Sequence, residues 1–238
     1  EAGWYIAPNR QMADADTTGN TISGLTYVDR VEVDFANGKL YLVGGGFDNV
    51  KTLDEAKITF SKDDTKGNTD VELAKYVSKI TRQNDNLYVI TLQADPDTKK
   101  SLKDALQKAG MTGDIKVLLD EEWNIQSNSR GPSLTRKLYS TATVSQVSYS
   151  NGTLRLVGSG FQGGVVHPEK ILIKRWNGTS FTLSGAEAKI EDNGHITIKV
   201  TATTPFTDSY LFFYGEDGWW TDALDIPAYR TKEIGISK

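Results

Sequence analysis

A duplicated pattern of short segments runs along this chain and limits the folds open to it. Residues 31–47 read VEVDFANGKLYLVGGGF, and residues 147–161 read VSYSNGTLRLVGSGF. Asn-Gly, Leu-x-Leu-Val and Gly-x-Gly-Phe therefore recur in the same order, with two extra residues in the first copy. Self-similarity at a long period marks a repeated structural unit, so the chain is predicted to contain the same module twice.

The match continues downstream and sets the predicted domain boundaries. DEAKITF at 54–60 corresponds to PEKILI at 168–173, and the acidic-aromatic DEEWNI at 120–125 corresponds to EDGWWT at 216–221. EAGWYI at 1–6 resembles this ending a third time. The prediction is therefore a tail of a preceding module plus a linker over 1–23, module 1 over 24–126, a linker over 127–138, and module 2 over 139–238.

Within each copy, apolar and polar residues alternate in short segments, which is typical of half-buried strands. Asn-Gly pairs at 37–38, 151–152 and 193–194 lie between such segments and favour tight hairpin turns. Short strands with frequent turns indicate a sandwich or a barrel. The alternation predicts these core residues: Leu40, Leu42, Tyr88, Ile90, Leu92, Leu154, Leu156, Ile196, Ile198, Val200, Tyr210, Phe212 and Tyr214.

One segment departs from the strand pattern. Residues 98–109, TKKSLKDALQKA, place Leu102, Ala105, Leu106 and Ala109 at helical spacing, and Gly110 follows as a stop. This predicts a short helix inserted into a connecting loop of the first copy, where it would cap one end of the sandwich.

The glycine-phenylalanine strings resemble the strand-end motif of IPT/TIG-type immunoglobulin-like domains. They are Gly44 to Phe47 and Gly158 to Phe161. The resemblance implies an all-β fold of two tandem immunoglobulin-like β-sandwiches. It also implies structural roles for six residues: Gly44, Gly46, Gly158 and Gly160 would turn the chain against the sandwich edge, while Phe47 and Phe161 fill the core beneath. Both copies are longer than family members usually are, which leaves the subfamily open.

Several classes of function lack the residues they require. The chain has no cysteine, which removes disulfides and thiolate nucleophiles. His167 and His195 lie in predicted loops without partners at metal-ligand spacing, and Ser159, between glycines, is not a nucleophile elbow. The protein is therefore predicted not to be an enzyme. A net charge of -4 without a basic stripe argues against nucleic acid, and no apolar run is long enough for a membrane helix.

Acidic residues beside the tryptophans are the remaining candidates for chemistry. A glycosidase uses two nearby carboxyl groups, but Glu121, Glu122, Glu216 and Asp217 recur once per module, which favours a structural or metal-binding position. Asp14 and Asp16 begin a segment like a calcium loop, yet the twelfth position is Leu25. No cofactor is predicted, and calcium at Asp14, Asp16 or the four acidic residues above is the one candidate metal.

Tryptophans are the candidate contacts for a ligand or partner. Adjacent residues in a strand point to opposite faces, so Trp219 and Trp220 are not expected to enter the same core, and one of them is predicted to be exposed. Exposed aromatic rings can stack on sugar rings or partner proteins. The candidates are Trp4, Trp123, Trp176, Trp219 and Trp220; packing at a module junction is the alternative for each.

Together these features predict non-catalytic structural or interaction modules of a secreted bacterial surface protein, of the S-layer or adhesin type. Expected partners are neighbouring modules of the same protein, other copies in a surface array, or cell-wall or extracellular glycan. The alternative is a carbohydrate-binding or spacer module of a secreted polysaccharide-degrading enzyme, which would need a roughly coplanar platform of exposed aromatic rings.

Overall fold

A computed structural model of the chain describes residues 26–67, 69–126, 133–192, 194–200, 206 and 210–238. The chain divides into two compact units. The first unit holds the described residues up to Ala109 together with Lys116–Lys137, and the second holds Gly110–Ile115 together with Leu138–Lys238.

The first unit is built almost entirely from short strands. One helix, α1 (Leu102–Lys108), and 3-10 turns at Phe47–Asn49, Glu55–Lys57 and Leu73–Tyr76 complete its regular structure among the described residues. Its strands are β1 (Tyr27–Asp34), β2 (Lys39–Gly45), β3 (Val50–Leu53), β4 (Ile58–Ser61), β5 (Val71–Glu72), β6 (Val77–Asn84), β7 (Leu87–Leu92), β8 (Lys116–Leu119), β9 (Asn124–Gln126) and β10 (Leu134–Ser140).

The second unit repeats these strands in the same order. A 3-10 turn at Pro168–Lys170 takes the place of the turn at Glu55–Lys57. Its strands are β11 (Thr143–Ser150), β12 (Thr153–Ser159), β13 (Val165–Val166), β14 (Ile171–Arg175), β15 (Ser180–Thr182), β16 (Glu187–Ile190), β17 (Ile196–Lys199), β18 (Leu211–Gly215), β19 (Trp220–Thr221) and β20 (Ile234–Ser237).

The strand order identifies the fold. In the second unit β11, β12, β17 and β16 are neighbours in that order, and β15, β14, β18 and β20 form the other half. β11 joins the halves because it pairs antiparallel with β12 and parallel with β20. Read along the chain, these are the A-B-E-D and C′-C-F-G arrangements of immunoglobulin domains. The first unit has the equivalent order, so the protein consists of two tandem immunoglobulin-like β-sandwiches, as the sequence predicts.

Small irregularities recur as well as strands. The pairing of β1 with β2 shifts register between Val28 and Arg30, and the pairing of β11 with β12 shifts between Val144 and Gln146. A β-bulge of this kind bends a strand locally. Both bulges come just before the residue that pairs with the valine of the Leu-x-Leu-Val motif, so the duplication extends to backbone detail.

The glycines of the repeated motif have two different structural roles: two allow close approach of the neighbouring strand, and two adopt a positive φ. A Cβ atom on Gly44 would overlap the carbonyl of Tyr27, and one on Gly158 would overlap the carbonyl of Thr143 and the Phe161 ring. Gly46 and Gly160 instead have φ angles of 71° and 81°, which favour glycine. The following phenylalanines, Phe47 and Phe161, are fully buried. The two units therefore use these glycine and phenylalanine positions in the same way, while the IPT/TIG assignment itself stays a prediction.

The predicted helix and the predicted turns at 37–38 and 151–152 are found with one difference, while Asn193 of the third Asn-Gly pair lies outside the described residues. Asn151 and Gly152 have φ angles of 49° and 75°, as a two-residue hairpin turn requires. Of the corresponding pair Asn37-Gly38 only Gly38 has a positive φ, because the two extra residues make a longer turn in which Asp34 accepts a hydrogen bond from the Asn37 amide. The helix begins after a Ser101–Asp104 capping box and buries Leu102 and Leu106.

Two predictions differ from the structure. Leu134 to Leu138 lie in the predicted linker, yet they belong to β10, which pairs with β8 over Leu134–Lys137. On β18 the buried residues are Leu211, Phe213 and Gly215, whereas Phe212 and Tyr214 are only half-buried and Tyr210 is exposed. The predicted core face of this strand is wrong, because aromatic residues occupy both of its faces and alternation alone does not say which face is inward.

Candidate functional site

Trp123 and Trp219 occupy equivalent structural turns. The Trp123 amide donates to the Asp120 carbonyl, and the Trp219 amide donates to the Glu216 carbonyl in the same way. The third residue of each turn, Glu122 or Gly218, has a positive φ. Both indoles are completely buried, and Trp219 packs edge to face against Phe161 and Phe213. Their burial leaves no ring face for a ligand.

The adjacent Trp220 is buried too, with 1% of its surface exposed. The expectation that either Trp219 or Trp220 is exposed is therefore wrong. It assumed that both residues lie inside a strand, whereas β19 begins at Trp220 and Trp219 ends the preceding turn. The indole of Trp220 occupies the space left by Gly164, where a Cβ atom would overlap it.

The first unit places an asparagine where the second has Trp220. Asn124 pairs with Leu53 across strands as Trp220 pairs with Val166. Asn124 is completely buried, and neither its amide nitrogen nor its amide oxygen has a hydrogen-bond partner among the described residues. An unpaired buried polar atom lowers stability, and Asn124 leaves two such atoms where Trp220 leaves one, its Nε1, among the described residues.

The predicted metal ligands do not form a described cluster. Glu121, Glu216 and Asp217 are exposed, and Asp217 accepts a hydrogen bond of 2.9 Å from the Arg230 amide. Within the described ranges no three His, Asp or Glu side chains are grouped as a metal site would need. Asp14, Asp16 and Trp4 lie outside the described residues, and calcium binding stays a prediction.

The two histidines have local hydrogen-bond partners. His167 Nε2 lies 3.1 Å from Thr221 Oγ1, and its Nδ1 lies 3.4 Å from Glu169. His195 contacts Arg155 across neighbouring strands. Both histidines therefore stabilise loops of the second unit.

Trp176 is the one described tryptophan that is exposed. It lies in the loop between β14 and β15, and 80% of its surface is accessible. Its ring centroid is 6.3 Å from that of Phe212, and the two planes differ by 34°. Tyr214 shares the outward side of β18 with Phe212, and Tyr210, 70% exposed, comes directly before this strand. We call Trp176, Tyr210, Phe212 and Tyr214 the aromatic face.

Strand register places further residues beside the aromatic face. Lys174 pairs with Ser180 on one side and with Phe212 on the other, and Phe212 pairs with Gly235. Paired residues point to the same side of a sheet, so these four form one outward row across β15, β14, β18 and β20. A Cβ atom on Gly235 would meet nothing within 4 Å. Packing therefore does not require glycine there, and its small size leaves one edge of Phe212 open.

An ion pair adjoins the rings. Lys174 Nζ lies 2.6 Å from Glu233 Oε1 and 4.1 Å from the centroid of the Tyr214 ring. The cation is thus neutralised by Glu233 and also held by the electron-rich face of Tyr214. With Trp176, Phe212 and Ser180, this pair lines an open depression of about 500 Å³. Its size lies within the roughly 300–1,000 Å³ range of ligand sites.

Sequence reasoning found one member of this site and missed the others. Trp176 is one of the five tryptophans that the sequence offers as candidate contacts. Phe212, Tyr214 and Tyr210 were assigned to the core, although the same stretch holds Leu211 and Phe213 on the alternate positions. A strand with an aromatic or aliphatic residue at every position indicates that the side chains on one of its faces do not pack in the core.

Comparisons with known proteins assign no family. No protein-family model matches the chain, and no curated protein sequence matches it.

Among the described residues no helix combines the length and apolar character needed to cross a membrane.

Solved structures are similar only at a low level. SGBP-B from a complex xyloglucan utilization locus in Bacteroides uniformis is 17% identical over 89% of this chain and 49% of its own, with a TM-score of 0.28, so this chain spans about half of that protein. Bovine butyrophilin is 11% identical over 88% of this chain and 95% of its own, with a TM-score of 0.28. Titin domains A168–A170 are 8% identical over 89% and 64%, with a TM-score of 0.24. The fold assignment above rests on the strand order.

Proposed function

We propose that this protein forms non-catalytic structural and interaction modules of a secreted bacterial surface protein, of the S-layer or adhesin type. The observation that supports this most directly is that the same β-sandwich, with the same strand order, occurs in both units. Its repeated turns, including those around Trp123 and Trp219, serve packing in both copies. A module whose repeated residues all serve folding can be placed in series to set spacing and to present surfaces.

Surface location is the property to test first. An antibody raised against the purified chain is expected to label intact cells of the source bacterium, and brief protease treatment of those cells should remove the signal. A cytoplasmic protein of the same cells serves as the control and must stay unlabelled and uncut. Labelling that needs cell lysis would contradict the proposal.

The aromatic face favours a second candidate function. Exposed aromatic rings beside polar groups are typical of carbohydrate contacts, so the chain is also a candidate for a carbohydrate-binding or spacer module of a secreted polysaccharide-degrading enzyme. Retention of the purified chain on insoluble polysaccharide, without release of reducing sugar, is the expected behaviour. A chain that fails to be retained would support the structural role alone.

A further inference from the structure

We propose that the aromatic face of the second unit binds a chain of neutral pyranose sugars. The inference rests on the proposed function as a surface or binding module and names the ligand class and the site. Trp176 and Phe212 supply the stacking surfaces, while Lys174, Glu233 and Ser180 supply hydrogen bonds to hydroxyl groups.

Ring stacking is the first reason for this ligand class. A pyranose with equatorial hydroxyl groups presents flat faces of C–H bonds, which carry slight positive charge and match the negative face of an aromatic ring. Trp176 and Phe212 are 6.3 Å apart with planes 34° apart, so they can receive consecutive sugar rings of a twisted chain. The accessible surface of Trp176, 80%, is available for such a contact.

Charge balance is the second reason. Lys174 and Glu233 neutralise each other at 2.6 Å, so of the three charged residues that line the depression only Arg175, which donates to Thr179 Oγ1, adds net charge. An anionic polymer or a nucleic acid would gain little from a cation that is already paired. An uncharged polyhydroxyl ligand can use the remaining donors of Lys174 and the free acceptor positions of the carboxylate.

Shape is the third reason. The outward row from Ser180 to Gly235 crosses β15, β14, β18 and β20, a length of about 14 Å because neighbouring strands lie roughly 4.8 Å apart. The open depression of about 500 Å³ is lined along this row by Ser180, Lys174 and Phe212, and a Cβ atom on Gly235 at the end of the row would meet nothing within 4 Å. An extended oligosaccharide can therefore lie along the row and leave it at both ends.

Calorimetric titration of the full chain with cellohexaose, mannohexaose and xylohexaose tests the inference. At least one of these neutral oligosaccharides is expected to bind. Trp176→Ala should lower its affinity at least tenfold, equivalent to about 1.4 kcal/mol. Trp176→Phe should retain most of the affinity, and Gly235→Leu, which places a side chain over the open edge of Phe212, should reduce it as much as Trp176→Ala.

Matched controls separate the site from general effects. Val165→Ala removes an exposed apolar side chain of the same unit outside the aromatic face, and its affinity should equal that of the wild type. Circular dichroism and melting temperature verify that each variant is folded. Binding of an uncharged ligand should also be the same in low and high salt.

Three results would overturn the inference: no binding of any neutral oligosaccharide, binding that Trp176→Ala and Gly235→Leu leave unchanged, or salt-sensitive binding of polygalacturonate in place of the neutral chains. If Trp176→Ala instead turns a dimer into a monomer, the face binds a second copy of this chain. None of these results tests surface location. If the protein is labelled on intact cells but binds no sugar, this inference is refuted and the proposed function is still supported.

Discussion

The outward rows of the two units show how one fold serves different surfaces. In the second unit Lys174, Phe212 and Gly235 face outward side by side on β14, β18 and β20. The equivalent residues of the first unit are Ser61, Lys116 and Lys137 on β4, β8 and β10, although Ser61 is buried there. Phe212 and Gly235 of the second unit thus correspond to Lys116 and Lys137 of the first.

The inward positions of the same strands have changed far less. Ile171 and Ile173 of the second unit correspond to Ile58 and Phe60 of the first, and all four are completely buried. Packing constrains the volume of buried side chains, whereas outward positions of a sheet are free to change. The difference supports the proposed binding site on the outer face of the second unit and shows that the two cores share one architecture.

The largest expected effect tests whether the buried tryptophans are shared architecture. Trp219→Ala should lower the free energy of unfolding of the second unit by about 3–5 kcal/mol, and Trp123→Ala should do the same in the first, because each leaves a large cavity. Urea unfolding followed by circular dichroism measures both. Trp176→Ala is the control and should cost less than about 0.5 kcal/mol. If Trp219→Ala lowers the free energy of unfolding as little as the control does, the buried tryptophans are not part of the architecture that the two units share.

The next effect separates a glycine that packing requires from one that it does not. Gly158→Ala should lower the stability of the second unit by about 1–3 kcal/mol, because the new methyl group overlaps the Thr143 carbonyl and the Phe161 ring. Gly235→Ala, with nothing within 4 Å of its Cβ, is the matched control. Thermal unfolding of the two variants gives the difference, and equal losses would contradict the conclusion that packing does not require glycine at position 235.

A smaller effect distinguishes Asn124 from its counterpart Trp220. Asn124→Leu should raise the stability of the first unit by about 1–2 kcal/mol, since it removes a buried amide that lacks partners. The exposed Asn86→Leu is the control and should change stability by less than about 0.5 kcal/mol. Denaturant titration measures both variants. A loss of stability in Asn124→Leu would mean that the amide contributes bonds that the described residues do not include.

The smallest effect concerns alkaline pH. Burial, followed by the negative charge of Asp217, raises the pKa of Tyr139 to about 12. Because the folded pKa exceeds the unfolded value of 10, this contribution is fully present below pH 10 and is lost as pH rises through 12. After allowance for solvent screening it is on the order of 1 kcal/mol or less. Urea unfolding at pH 9 and pH 11 should show a smaller decline for Tyr139→Phe than for the wild type; equal declines would exclude Tyr139 as the cause.

Much of the fold could be predicted because its causes are local in sequence. Glycine at a positive φ, Asn-Gly at a hairpin and the Ser101 capping box each depend on a few consecutive residues. The duplication then repeats the positive-φ glycine and the Asn-Gly pair, though not the capping box, in a second copy. The end of the first unit was harder to predict, since β10 follows a proline-containing segment. The pattern of apolar and polar residues in β10 does not show that this strand pairs with β8.

The candidate site could not be predicted to the same degree. Trp123 and Trp219 look like ligand contacts because the sequence does not show that a turn directs them inward. Phe212 and Tyr214 look like core because hydrophobic residues fill both faces of β18. Which face is inward depends on register with β14 and β20, and that register is set by residues far away in the chain.

The parallel contact between β11 and β20 has a mechanical consequence. Val147 and Ser148 lie beside Ile236 and Ser237, so the first and last strands of the second unit run side by side in the same direction. Tension applied to the two ends of that unit loads this ladder in shear, so its hydrogen bonds must break together and not one after another. A tether built in this way resists stretching by flow until a threshold force and then yields abruptly.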